Sequence, residues 1–518
     1  MTRTRRRSLL AVGALAAALT MTLSGCVTAF FPKDDGPGAS TPAPVADDLD
    51  ADLRPFYEQQ LTWESCAGDG FDCATVTAPL DWENPADGDI DLEIVRQRAL
   101  GGDPIGSLLM NPGGPGASGY DLVADSVDFA AGDALQQNFD IVGFDPRGVE
   151  RSAPVSCLDA EGMDSYLYDL AENEIGSDAW IAEVGESSKA FNDACAENTG
   201  ESLEFVTTVS AARDLDLLRA VLGDPTLNYL GYSYGTFLGA TYAELYPENV
   251  GRLVLDGAID PSASISDVNK AQSMGFESAL AAYLEDCLDA EECPFSGSVD
   301  SAKQDIADLL ASVQASPLPA SDGRQLGSST LLTAIIYPLY SADSWPYLSQ
   351  MFDQVMSGDP TYAFFFADQY NGRGEDGEYI NNQTEAFSAY NCRDYTFDAD
   401  VDTMRQKAEE LAQAAPVIGP YMGYGDIGCS TWPYPDQAER AEIHAAGADP
   451  IVVIGTTNDP ATPYAWAESL ADQLDSGVLV SYEGEGHTAY NKGSDCVNEA
   501  VEAYLVDGTV PEDGLDCS

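Results

Sequence analysis

Histidine is almost missing from this chain: His444 and His487 are the only two in 518 residues. Basic residues are scarce as well, with 23 Lys and Arg against 87 Asp and Glu and a formal net charge of −64. A surface of that sign repels phosphate, which argues against nucleic acid as a partner and suits a heavily solvated exported protein. Beyond the first 26 residues no stretch is long and apolar enough to span a bilayer. Two histidines and the lack of paired Cys-x-x-Cys motifs leave little basis for a metal site. Neither a metal nor an organic cofactor is expected.

What is present begins with an address. Residues 1–26, MTRTRRRSLLAVGALAAALTMTLSGC, join a basic start to an apolar run ending at Leu23-Ser24-Gly25-Cys26. The stretch resembles a bacterial lipoprotein signal peptide, which would make Cys26 the lipidated N-terminus and attach the protein to a membrane by that anchor. Arg6-Arg7 leaves Sec and twin-arginine export both open. A plain secretory signal cleaved elsewhere is the competing reading; on either one the protein is exported, anchored at the cell surface or secreted. Setting Cys26 aside leaves ten cysteines, an even set that reads as disulfides in an exported chain. Pairing of neighbours is expected: 66–73, 157–195, 287–293, 392–429 and 496–517.

Residues 27–50 are rich in Pro, Gly, Ala and Asp and read as a flexible tether. From 51 to 261 short apolar runs alternate with helical periodicity: IDLEIVRQRA (90–99), GSLLMNPGGPG (106–116), NFDIVGFDPRG (138–148), VSAARDLDLLRAVLG (209–223), LNYLGYSYG (227–235) and GRLVLDG (251–257). That βαβ rhythm predicts an α/β domain with a mostly parallel sheet flanked by helices. Residues 262–447 read mainly as helices, and the rhythm resumes over 448–518. A helical cap inserted between the sixth and seventh strands of one sheet domain is the expected organisation.

The apolar run of LNYLGYSYGTFLGATYAELYP breaks at Gly231-Tyr232-Ser233-Tyr234-Gly235, a Gly-x-Ser-x-Gly nucleophile elbow between a strand and a helix. Such a turn lifts the Ser233 hydroxyl above the sheet edge and aims the Tyr234 amide at the same point. A serine needs a base. His444 lies in the polar stretch AERAEIHAAG, whereas His487 lies in the glycine-flanked loop YEGEGHTAY just past the last strand, where a base can reach the serine. The base needs a carboxylate to fix its tautomer. Asp459, in IGTTNDPATP, follows the preceding strand, with Asp256 and Asp260 as fallback acids. The order Ser233, Asp459, His487 is that of α/β-hydrolases. NPGGPGASG (111–119) leaves amides open to a ligand, and Gly114 is its candidate oxyanion donor beside Tyr234. No Gly-Lys-Ser/Thr follows, so it is no phosphate loop.

CATVTAPLDWENP (73–85), NPGGPGASG, FDIVGFDPRGVERSAPVSC (139–157), GYSYGT, RLVLDGAIDP, NCRDY (391–395), CSTWP (429–433) and TNDPATP…GEGHTAY together resemble the secreted bacterial tripeptidyl aminopeptidases, α/β-hydrolases related to proline iminopeptidases. The resemblance runs from about Trp63 to Cys517. It implies Ser233 as nucleophile, Asp459 as acid, His487 as base, and a cap that restricts the site to short peptides with a free N-terminus. Asn111-Pro112 stands where related iminopeptidases have a histidine, which weakens any transfer of proline-only specificity. Such a substrate's ammonium needs acidic partners; Glu150 and Asp394 are the candidates. A carboxylesterase or lipase on the same fold, and a non-catalytic peptide-binding lipoprotein, are the alternatives.

Overall fold

The computed structural model describes residues 40–45, 49–68, 70–434 and 440–518. The leader, Cys26 and most of the 27–50 tether lie outside the described residues. Part of that tether is docked: Ala43 is buried and its N–H donates to Ala220 O at 2.7 Å, while Trp63 Nε1 donates to Ser40 Oγ at 2.7 Å. Composition marked this Pro-rich piece as linker, but an extended chain can lie along a helix end without forming an element of its own.

Ten strands form one sheet in the order β1-β2-β3-β5-β4-β6-β7-β10-β11-β12. They are β1 (Glu64–Ser65), β2 (Phe71–Pro79), β3 (Asp89–Gln97), β4 (Ser107–Asn111), β5 (Asp140–Phe144), β6 (Leu227–Tyr232), β7 (Val250–Asp256), β10 (Ile451–Asn458), β11 (Gly477–Glu485) and β12 (Leu515–Cys517). β8 (Leu318–Pro319) and β9 (Gln325–Leu326) make a separate hairpin. Pairing is antiparallel from β1 through β3 to β5 and parallel from β5 to β12. This is the α/β-hydrolase fold.

The strands are apolar on both faces because both faces are covered. Leu109, Tyr229, Leu253, Leu255 and Val453 pack to one side; Leu108, Leu230, Val254, Val452 and Ile454 pack to the other. Helix Thr208–Leu222 covers the first side. Thr207 Oγ1 accepts from Ser210 N–H at its start, and Gly223 ends it at φ 93. Helices Gly119–Ala130 and Asp495–Glu502 cover the second.

Just past β5, Arg147 is 2% exposed. It forms a two-pronged ion pair with Asp214 in helix Thr208–Leu222, with Nε and Nη2 each 2.7 Å from the carboxylate. Trp82 Nε1 donates to the same carboxylate at 3.0 Å, so the buried charges are matched.

Counted from β2, six strands precede a long helical insertion and β10 is the seventh. The insertion has a core of its own, built from helices Ile265–Asp289, Val299–Ala315, Ser328–Ile336, Trp345–Met356 and Thr361–Asn371. Among the described residues no helix is long and apolar enough to cross a membrane. All five expected cysteine pairs are bonded: Cys66–Cys73, Cys157–Cys195, Cys287–Cys293, Cys392–Cys429 and Cys496–Cys517.

Candidate active site

At the C-terminal end of β6 the chain turns at Ser233, held at φ 54 and ψ −122, and enters helix Tyr234–Leu245. A positive φ on a residue with a side chain is strained and persists only when its surroundings enforce it. They do so here: Ser233 N–H donates to Asp256 O at 2.9 Å, and Ser233 O accepts from Thr236 N–H at 2.8 Å and Thr236 Oγ1 at 2.6 Å. The flanking glycines are required by contact. A Cβ on Gly231 would stand 2.5 Å from Gly235 O, and one on Gly235 2.8 Å from Asn111 Oδ1.

The glycine-rich turn after β4 lies against this elbow. Gly113 N–H is taken by Asn111 Oδ1 at 3.0 Å. Among the described residues neither Gly114 N–H nor Tyr234 N–H donates to a protein acceptor. A Cβ on Gly113 would stand 2.8 Å from Ser233 Cβ and 3.1 Å from Tyr234 N. Two uncommitted amides thus flank the serine, the arrangement that can hold a developing oxyanion.

Asp459 follows β10 and His487 follows β11. His487 Nδ1 lies 2.9 Å from both carboxylate oxygens of Asp459. That contact places the proton on Nδ1 and leaves Nε2 free to accept one. Asp459 also accepts from Ala461 N–H (2.9 Å), Thr462 N–H (2.8 Å), Thr462 Oγ1 (2.9 Å) and Thr488 N–H (3.1 Å). Burial pushes its carboxyl up, but the His487 charge and these donors outweigh that and hold it below the usual carboxylate range. The fallback acids are engaged elsewhere. Asp256 accepts from the Ala489 and Tyr490 amides and so anchors the histidine loop; Asp260 is bonded to Ser262, Ser469 and Gln473. His444 is surface-exposed, with Nδ1 2.9 Å from Gln473 O.

Ser233 and His487 both border the C-terminal end of β7. Asp256 O holds the serine amide, and a Cβ on the next residue, Gly257, would stand 3.3 Å from His487 Cε1. Among the described residues no hydrogen bond joins the Ser233 hydroxyl to the imidazole, and such bonds commonly tighten only when substrate is bound. Two further contacts fix His487. His487 N–H donates to Tyr340 O in the insertion at 2.9 Å, with the two rings edge-to-face at 5.4 Å, and Lys492 Nζ donates to His487 O at 2.8 Å.

The two candidate ammonium partners lie in different places. Asp394 lines a cavity of about 260 Å³ with Gly114, Tyr234, Phe237, Phe387 and Arg440. Its carboxylate accepts from Thr208 N–H and Thr208 Oγ1 (2.6 Å), and burial pushes it up to about 6. Glu150 faces a separate cavity beside helix Gln383–Asp394. Thr462 and Tyr340 are contacts of the site that no sequence expectation named. Thr462 stands three residues after Asp459 in TNDPATP, a spacing that signals an Asx-type turn; nothing local marks Tyr340.

Comparison with known proteins places the chain in a family. Residues 415–517 match the family model described as TAP-like protein. Serine protease Hip1 of Mycobacterium tuberculosis is 35% identical over 485 residues, covering 90% of this chain and 92% of that protein. The chain belongs to the tripeptidyl aminopeptidase-like family of α/β-hydrolases. It is accordingly a serine hydrolase. Other relatives in this family carry different names. Carboxylesterase B of Mycobacterium tuberculosis is 35% identical, covering 90% of this chain and 91% of that protein. Tripeptidyl aminopeptidase of Streptomyces lividans is 28% identical, covering 88% and 86%.

Proposed function

We propose that this protein is an exported serine exopeptidase, of tripeptidyl aminopeptidase type, that cleaves short peptides near a free N-terminus through an acyl-enzyme. The observation that carries the reading is the His487–Asp459 contact at 2.9 Å beside a strained serine with two uncommitted amides. Ser233 Oγ attacks the scissile carbonyl while His487 Nε2 takes its proton. Gly114 and Tyr234 N–H stabilise the oxyanion, and Asp459 stabilises the imidazolium. His487 then protonates the leaving amine, and water, deprotonated by the same imidazole, releases the N-terminal fragment. Export rests on residues 1–26 and five disulfides; anchoring rests on Cys26.

The name of the carboxylesterase relative favours a second reading, ester hydrolysis by the same residues. Rates on free and N-acetylated tripeptide nitroanilides, set beside a nitrophenyl ester, separate the two. An exopeptidase rejects the acetylated peptides; an esterase turns over the ester and ignores the peptides' N-terminus. In either case Ser233→Ala should lower turnover by several orders of magnitude and abolish labelling by a fluorophosphonate; retained activity would remove Ser233 from the mechanism.

A further inference from the structure

Among the described residues, no Lys, Arg or His forms an ion pair with the carboxylates that line one cavity. It measures about 310 Å³, and Glu150, Glu378, Asn381, Asn382 and Glu385 are among the residues around it. Glu385, in the first turn of helix Gln383–Asp394, is 8% exposed, and among the described residues its carboxylate meets no donor but its own backbone amide. Glu150, at φ 43, is locked to Asn382, the residue that precedes the same helix. Asn382 N–H donates to Glu150 Oε1 at 2.8 Å, and Glu150 N–H donates to Asn382 Oδ1 at 2.9 Å. Asn382 Nδ2 is in turn fixed on Gly148 O and Val155 O, each at 2.9 Å. The neighbouring cation, Arg151, is turned away onto Asp121 (2.6 Å) and Asp145 (3.0 Å).

Burial and the like charge of Glu150 push the Glu385 carboxyl up to about 7, and burial likewise raises Glu150. A compact cation with several N–H donors placed between them would relieve both effects. Asp394 offers no such place, since Thr208 occupies its carboxylate and Arg440 shares its cavity.

The helix that carries Glu385 also touches the glycine-rich turn. A Cβ on Gly116 would stand 2.8 Å from Gln383 O and 3.2 Å from Phe387 N, so the oxyanion turn abuts the first turn of the helix that carries Glu385. Gly114 is two residues from Gly116, at most about 7 Å along the chain. The span from the Gly114 amide to Glu385 is therefore comparable to a peptide of a few residues, at about 3.3–3.6 Å per residue.

Resting on the exopeptidase reading, we propose that Glu150 and Glu385 form the subsite for the substrate's terminal ammonium, and that their separation from Gly114 sets how many residues are released.

The test uses the full mature protein and nitroanilides of one, two and three residues, each with a free or an acetylated N-terminus. The wild type should prefer the free amine. Glu385→Gln and Glu150→Gln should each cut kcat/KM for the preferred free peptide by about 10- to 100-fold, the range for one charge-assisted hydrogen bond, and so collapse the free-to-acetylated ratio. Fluorophosphonate labelling checks that the triad is assembled in each variant. A second measurement needs no variant: carbodiimide modification of Glu150 and Glu385 in the wild type, mapped by mass spectrometry, should be blocked by a tripeptide amide and not by its acetylated form. If the wild type cleaves free and acetylated peptides equally, the exopeptidase reading falls and this assignment with it. If the wild type demands a free amine but the glutamine variants keep that demand, or the tripeptide amide leaves both carboxyls reactive, the assignment alone is overturned.

Discussion

Replacing Asp459 with Asn tests the site at the residue whose surroundings are most fully determined. The carboxylate faces His487 Nδ1 with both oxygens and four further donors: the amides of Ala461, Thr462 and Thr488 and the Thr462 hydroxyl. An amide side chain keeps one accepting oxygen. If that oxygen stays on the Ala461 and Thr462 amides, the NH2 group confronts Thr488 N–H, which cannot turn away as a hydroxyl can. One buried donor is then unsatisfied, at a cost of about 1–3 kcal/mol. The same NH2 can bond His487 Nδ1 only if that nitrogen has lost its proton. The proton moves to Nε2, and the imidazole can no longer take one from Ser233. A wrong tautomer of this kind lowers kcat by about 10⁴, or about 5–6 kcal/mol at 1.36 kcal/mol per decade. Stability shifts with pH as well. Because the folded Asp459 carboxyl lies below its unfolded value, its contribution is fully present above the unfolded value, about 3.9. It is lost as pH falls through the folded value. Asp459→Asn lacks this contribution, so the gap in stability between wild type and variant should narrow in acid. Steady-state turnover of a tripeptide nitroanilide from pH 6 to 10, with urea melts at pH 7 and pH 3, measures both effects. Activity within tenfold of the wild type at pH 8, with an unchanged profile, would refute the assignment of Asp459 as the group that orients His487.

Gly235→Ala should cost about 1–3 kcal/mol and slow fluorophosphonate labelling, because the new Cβ would stand 2.8 Å from Asn111 Oδ1 and 2.9 Å from Asn111 O; wild-type melting and labelling would contradict the close approach. Replacing Cys392 and Cys429 together with Ser should lower stability in urea by about 4 kcal/mol, the chain-entropy value for closing a loop of this size, the two residues being 37 apart. A loss below 1 kcal/mol would mean that the reduced, unfolded chain is already constrained there.

Much of the site was legible because its chemistry needs rare residues in a fixed order. With two histidines in the chain, a glycine-flanked one after a strand was a strong candidate, and Ser233 was marked by glycines that the contacts show to be indispensable. The expectation of Asp459 over Asp256 rests on chain order; in the structure Asp459 contacts His487, and Asp256 is occupied by the amides of the histidine loop. Short edge elements were not legible. β1 is two residues and β12 three, too brief for any periodicity, and their places come from pairing with β2 and β11. Glu385 was invisible for a different reason. In a chain with 87 acidic residues, only burial distinguishes one carboxylate from another, and burial is a property of the packed fold.

The bond from the His487 amide to Tyr340 O has a practical side for anyone wishing to pare this chain down. The helices between β7 and β10 hold His487 in place, so excising them for a smaller catalyst would free one end of the histidine's backbone and strip an aromatic neighbour from its ring. A shortened chain of this kind needs a replacement acceptor at that point before its sheet can serve as an enzyme.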